Sequence, residues 1–240
     1  MIFISTITWL PGSQVVRYCY MRKHSFTNGE FYHVFNRGVD KRNIFLDKAD
    51  FTRFLQGMDV FNSIEPVGSL WERSFVKRQL GGLAHASPRS TRSKLVHIIA
   101  YCLNPNHFHF LLEQLVDGGV SAFVHRVGGG FSKYFNIKYK RNGTLFEGKF
   151  KSVPIISNEQ LLHVSVYVNL NDRAHELHRG ASLSSWREYV GDVDENLCKK
   201  NIILRQFRGV SEYEGFAKSS LRDILEYKRG VKEFQKLFLE

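Results

Sequence analysis

The sequence predicts an α+β fold, an antiparallel sheet with helices packed on it in the split βαβ manner. Three observations carry this. Residues 30–38 and 95–114 show the alternating or continuous apolar pattern of strands. Residues 47–64 and 120–139 repeat apolar side chains at helical steps. The segments follow one another as strand, helix, strand, strand, helix, strand, helix.

Each element has its own reason. In "EFYHVFNRG" (30–38) aromatic or β-branched residues alternate with polar ones, up to Gly38. Over 47–64, Phe51, Phe54, Leu55, Met58 and Phe61 make one helical stripe, with Asp47 as N-cap. Two apolar strands, 95–104 and 107–114, flank Asn104-Pro105-Asn106, which is turn chemistry, so they form a hairpin. A helix follows over 120–139. Gly128, Gly129 and Gly130 interrupt it, each costing about 1 kcal/mol against alanine, so a break or kink is expected. Residues 144–156 are a further extended segment. Residues 157–174 carry two signals. Ser157 with Gln160 is a capping box, whereas "HVSVYVNL" alternates with period two; the cap and the length favour a helix.

The predicted organisation is an N-terminal extension or arm over 1–28, one domain over 29–191 and a helical C-terminal tail over 192–240. Residues 65–94, rich in Gly, Pro, Ser and basic residues, are a surface excursion of that domain. The first 12 residues contain an apolar run too short to span a bilayer and without a basic lead, so no membrane partner is expected.

Composition narrows the function. The chain has 240 residues and a net charge of +11, a surplus that favours polyanion partners such as nucleic acid, though a merely basic enzyme would carry the same charge. Cys19, Cys102 and Cys198 are too few and too scattered for a disulfide framework or a zinc finger, and they suit a reducing cytoplasm. No phosphate-binding loop, dinucleotide fingerprint or G-x-S-x-G occurs, so no nucleotide cofactor is expected.

Two constellations carry chemistry. His107 and His109 are two apart on a strand, so they share a face at an α-carbon spacing of about 6.5–7 Å. They can converge on one metal ion; two satisfied structural histidines would give the same spacing. On a helix, His163, Tyr167 and Asn171 lie four apart on one stripe. There Tyr167 can act as a nucleophile and Asn171 as a further ligand; an ordinary amphipathic tyrosine would look alike. For DNA contact the candidates are Lys133, Lys138, Lys140, Arg141, Lys149 and Lys151, which interleave with aromatic rings over 132–152 beside a single acid, Glu147. His33, Asn36 and Arg37 add a second candidate DNA-binding edge at a strand end.

Taken in order, "YHVFNRG", "CLNPNHFHFLLEQ", "KYFNIKYKRNGTLFEGKFKS", "LLHVSVYVNLNDRAHEL" and "SSWREYVG" resemble the single-tyrosine HUH transposases, in the branch of the REP-associated tyrosine transposases. The pieces span residues 29–191. The resemblance implies a ferredoxin-like HUH core, with His107 and His109 as the histidine pair, Tyr167 as the nucleophile and Asn171 completing a site for Mg²⁺ or Mn²⁺. It implies cleavage and rejoining of single-stranded or hairpin DNA through a 5′-phosphotyrosine link, by a homodimer. A catalytically idle hairpin-binding protein and a metal-dependent nuclease using water are the alternatives. Three departures stand out, one of them the 65–94 excursion, which is not part of the usual family pattern. Asn104 takes the place of the usual methionine, and the helix reads Tyr167-Val168-Asn169-Leu170-Asn171-Asp172 where the family has Tyr-x-His-x-Asn-Pro.

Overall fold

The computed structural model describes residues 25–65, 93–178, 180–191, 193 and 197–237, of which 231–237 by backbone only. Most of the predicted arm and most of the 65–94 excursion lie outside the described residues.

The chain runs β1 (Phe31–Arg37), α1 (Lys48–Val60), β2 (Val96–Asn104), β3 (His107–Gln114), α2 (Gly119–Lys138) and β4 (Lys151–Pro154). Then come α3 (Asn158–Asn169), α4 (Asn171–Ala174), β5 (Leu183–Ser184), α5 (Trp186–Tyr189), α6 (Asn201–Leu204) and α7 (Val210–Leu237). The sheet order is β4-β1-β3-β2-β5, and every pair of neighbours is antiparallel. The first four strands with α1 and α2 form the predicted split βαβ core; β5 extends one edge. No helix among the described residues is long and apolar enough to cross a membrane.

The sheet divides two apolar layers. Alternation sends Tyr32, Val34, Phe108, Phe110 and Leu112 to the α1/α2 side. Leu111 and Cys102 face the other side, against α3 and α7. β2 changes phase through a bulge between Ile98 and Ala100. Before it Ile98 faces α1 and α2; after it Tyr101 and Leu103 do, leaving Ala100 and Cys102 toward α3. Asn104, two beyond Cys102, shares its face.

Phe54 is the hub of the first layer. It has no exposed surface and meets the rings of Phe131, Phe45 and Phe108 at 5.0, 5.2 and 5.4 Å. Phe54→Ala is expected to cost about 3–5 kcal/mol of stability. Urea unfolding measures it, and a loss below 1 kcal/mol would contradict this packing.

The expected break at Gly128–Gly130 does not occur: α2 continues from Gly119 to Lys138. Packing overrides the propensity penalty. A β-carbon on Gly130 would lie 2.7 Å from the Phe61 ring, so the missing side chain lets α1 and α2 approach. Both caps form. Asp47 accepts from the Asp50 amide at 3.0 Å in a full capping box. Ser157 accepts from the Gln160 amide at 3.1 Å, while the Gln160 side chain accepts from the Ile156 amide instead of closing the box. Residues 158–169 are helical, so the cap outweighs the alternating pattern. The extended segment 144–156 is a strand only over Lys151–Pro154.

The C-terminal tail is part of the core. Ile203 and Tyr213 have no exposed surface, and the Tyr213 hydroxyl accepts from Asn169 at 3.0 Å and pairs with Ser165 at 3.2 Å.

Candidate active site

Strand alternation and pairing build the site on the α3 side of the sheet. β3 presents His107 and His109 there, and β1 presents His33, Phe35 and Arg37. In register, Arg37 stands opposite His107 and Phe35 opposite His109, while on the other flank Asn104 stands opposite His107. The His107 and His109 rings are edge to face, 5.0 Å apart. Tyr167, from α3, meets His33 at 5.8 Å and His109 at 5.7 Å, its ring nearly perpendicular to both.

α3 ends where the site needs it to. Leu170 leaves helical geometry, and Asn171 opens the short α4. Asn171 is fully buried; its Oδ1 accepts from Asn104 at 2.6 Å, and its Nδ2 has no hydrogen-bond partner. The predicted stripe is only partly realised. Tyr167 and Asn171 reach the site, but His163 packs on α7, against Phe216 and Ser220.

His33 was expected at a DNA-binding edge. It is instead 3% exposed, with Nε2 2.9 Å from His109 Nδ1. Strand pairing makes it the residue that orients His109, a role of a kind common behind metal-binding imidazoles. Its signal in the sequence is the alternation of β1, but the partner strand is not legible there.

The three imidazoles are held neutral. Burial lowers the pKa of His33 to about 4. Burial first, and then the neighbouring His175, lower that of His107 to about 4. Burial, then His107 and His33, hold His109 well below its ordinary value. Burial raises the Tyr167 phenol, and the nearby Asn171 amide works the other way. At neutral pH the site therefore offers imidazole lone pairs and a protonated phenol. Because the folded pKa values are depressed, stability is fully present above about pH 6.5 and falls as the pH drops toward 4, where the unfolded chain takes up protons the folded one refuses. Denaturation midpoints between pH 7 and 4.5 measure this. A flat profile would contradict the buried neutral histidines.

The donor set fits a divalent ion in type: two neutral imidazoles and one amide oxygen. It is a lean set. Among the described residues no group of three or more His, Cys, Asp or Glu is placed to hold a metal. The unpartnered Asn171 Nδ2 marks hydrogen-bonding capacity that the site keeps unspent.

The basic candidates divide between the two faces. Arg37 lies beside His107 at the mouth, paired with Glu147 at 3.3 Å. Lys151 shares the site face, directly across from Phe35. Asn36 points to the opposite face and donates to the Gly148 carbonyl at 3.3 Å. Lys133 and Lys138 are on α2, across the sheet from Tyr167, so they do not join the site. Lys133 is exposed, and Lys138 is tied to Asp47 and Asp50 at 2.7 Å each. Lys140, Arg141 and Lys149 lie along the connection from α2 to β4; Lys140 and Lys149 are exposed, and Arg141 covers the Phe135 ring at 5.7 Å. A basic groove continuous with the site is therefore not what residues 132–152 form.

Two site residues went unread in the sequence. His175, just past α4, brings its ring to 5.6 Å from that of His107. Lys228, on α7, donates to the Ala174 carbonyl at 2.8 Å, and its charge is felt at His107 and His109. His175 follows the tyrosine–asparagine motif closely enough to have been singled out; nothing in the sequence marks Lys228.

The IS200-like transposase family model matches residues 71–171. A solved structure described as "Structure of the REP associates tyrosine transposase bound to a REP hairpin" superposes with a TM-score of 0.48 at 12% identity, covering 75% of this chain and 98% of that one. No curated protein matches the sequence. The family match starts inside the segment read as an excursion and omits β1, but it takes in the hairpin, both histidines of β3, Tyr167 and Asn171. What the IS200-like transposase model matches is thus the part of the chain, residues 71–171, that holds the histidine pair, Tyr167 and Asn171.

Proposed function

We propose that the protein cleaves and rejoins single-stranded DNA with Tyr167 as nucleophile, the chemistry of a tyrosine transposase. One observation carries the reading: the phenol of Tyr167 stands over the imidazoles of His33 and His109, on the face that also holds His107 and Asn171.

His107, His109 and Asn171 would hold Mg²⁺ or Mn²⁺. When bound, such an ion polarises the scissile phosphate and orients it. The Tyr167 oxygen attacks phosphorus and the bond to the 3′ oxygen breaks. The phenol gives up its proton, and the departing 3′ oxygen takes one up. A 5′-phosphotyrosine and a free 3′-hydroxyl result. The ester conserves the bond energy, so another 3′-hydroxyl can reverse the step without a nucleotide cofactor. His33 fixes the His109 ring, and Arg37 and Lys151 place positive charge on the site face for the DNA backbone. We take the substrate to be hairpin DNA and the active form to be a homodimer working in the cytoplasm, as the sequence resemblance implies.

The test is incubation of the full chain with labelled hairpin DNA and Mn²⁺, followed by denaturing electrophoresis. A covalent protein–DNA band is expected. Cleavage with no such band would favour a nuclease using water, and binding with neither would favour an idle hairpin-binding protein.

A further inference from the structure

A single side chain ties up two of the atoms that the proposed ion needs. The Asn104 Nδ2 lies 2.9 Å from His107 Nε2 and 2.6 Å from Asn171 Oδ1. It is a primary amide with two hydrogens, and both are spent on these two atoms.

The direction of these bonds is fixed from outside the site. The Lys41 carbonyl can only accept, and it takes a hydrogen from Asn106 Nδ2 at 3.1 Å. Asn106 Oδ1 must then face His107 Nδ1, 2.6 Å away, which therefore carries the ring proton. With Nδ1 carrying the proton, Nε2 of the neutral ring bears the lone pair. Only a donor can sit 2.9 Å from that lone pair, so the Asn104 amide presents NH₂ and not oxygen. Its oxygen is turned back toward Cys102, whose thiol donates to it at 3.4 Å. The Asn104 side chain has no exposed surface. It can leave only by turning about its own side-chain bonds.

We propose that Asn104 is a positioning residue that competes with the metal ion. Its amide bridges His107 and Asn171, and an ion that takes both donor atoms must first displace it. This rests on the metal reading given above. The bridge satisfies two acceptors, the half-buried His107 Nε2 and the fully buried Asn171 Oδ1. The cost is affinity: the ion must break two hydrogen bonds that an apolar side chain at this position would never make.

The experiment is a Mn²⁺ titration of the full-length protein by calorimetry, comparing wild type with Asn104→Met and Asn104→Ala. Two neutral hydrogen bonds lost from the metal-free state predict binding roughly tenfold tighter in both variants. The metal-free melting temperature should fall in both, and the upward shift caused by saturating Mn²⁺ should exceed that of wild type. Adding His107→Ala to either variant should abolish the gain. Equal or weaker Mn²⁺ binding by the variants overturns the proposal; weaker binding would make Asn104 a ligand. Absence of Mn²⁺ binding in wild type and both variants is a different failure. It overturns the metal reading itself, and this proposal with it.

Discussion

Tyr167→Phe should yield a folded protein that forms no covalent adduct with DNA. The change removes one oxygen and keeps the ring, so the edge-on contacts to His33 at 5.8 Å and His109 at 5.7 Å survive. The apolar layer around α3 is untouched. What disappears is the nucleophile, and removal of a nucleophile costs on the order of 10⁴-fold or more in rate. The measurement has two arms. Denaturing electrophoresis with labelled hairpin DNA reads the adduct, and retarded mobility on a native gel reads binding. Loss of the first with retention of the second is the expected pair. If the phenylalanine variant makes the same adduct, another residue is the nucleophile and the reading of this site is wrong. If strand breaks persist at the wild-type rate without an adduct, water is the attacking group.

His107→Ala combined with His109→Ala should remove the Mn²⁺ dependence of cleavage together with the cleavage itself. Metal stabilisation of the developing charge is worth several kcal/mol, so a loss on the order of 10³-fold or more is expected. Binding of DNA should change far less, because Arg37 and Lys151 remain on the site face. The variant also leaves the buried His33 Nε2 without its partner 2.9 Å away, a cost to stability of about 1–3 kcal/mol. Activity is therefore compared at a temperature well below the melting point of the variant. Cleavage by the double variant that Mn²⁺ still stimulates to the wild-type extent would place the metal elsewhere.

The elements that carry this site were legible wherever the signal is local. Asn104-Pro105-Asn106 announces a hairpin through turn chemistry, and the H-x-H spacing puts both imidazoles on one face whatever lies around them. Ser157 begins α3 and so decides that Tyr167 is helical, with Asn171 just past the helix end. What depends on distant partners was not legible. The three glycines of α2 read as a break because their penalty is local, while the Phe61 ring that rewards Gly130 comes from another helix. Lys133 and Lys138 read as part of a DNA groove because a sequence does not say which side of a sheet a helix covers. His33 read as a surface residue because its burial comes from pairing with β3. Asn169, where the family has histidine, is claimed by a buried network: it donates to Tyr213 at 3.0 Å and accepts from Ser185 at 2.6 Å. Only the docked C-terminal helix supplies that network's tyrosine.

The bulge in β2 has a consequence for the chemistry. Counted from Val96, an uninterrupted strand would turn Cys102 and Asn104 into the aromatic layer and aim Tyr101 and Leu103 at the histidines. The one additional residue at Ile99 reverses that parity. A phenol ring and a leucine are thereby kept off the histidine face, and the Asn104 amide stands on it. The reactive face and the oily face of this strand are thus assigned by counting, and a single inserted or deleted residue upstream would exchange them.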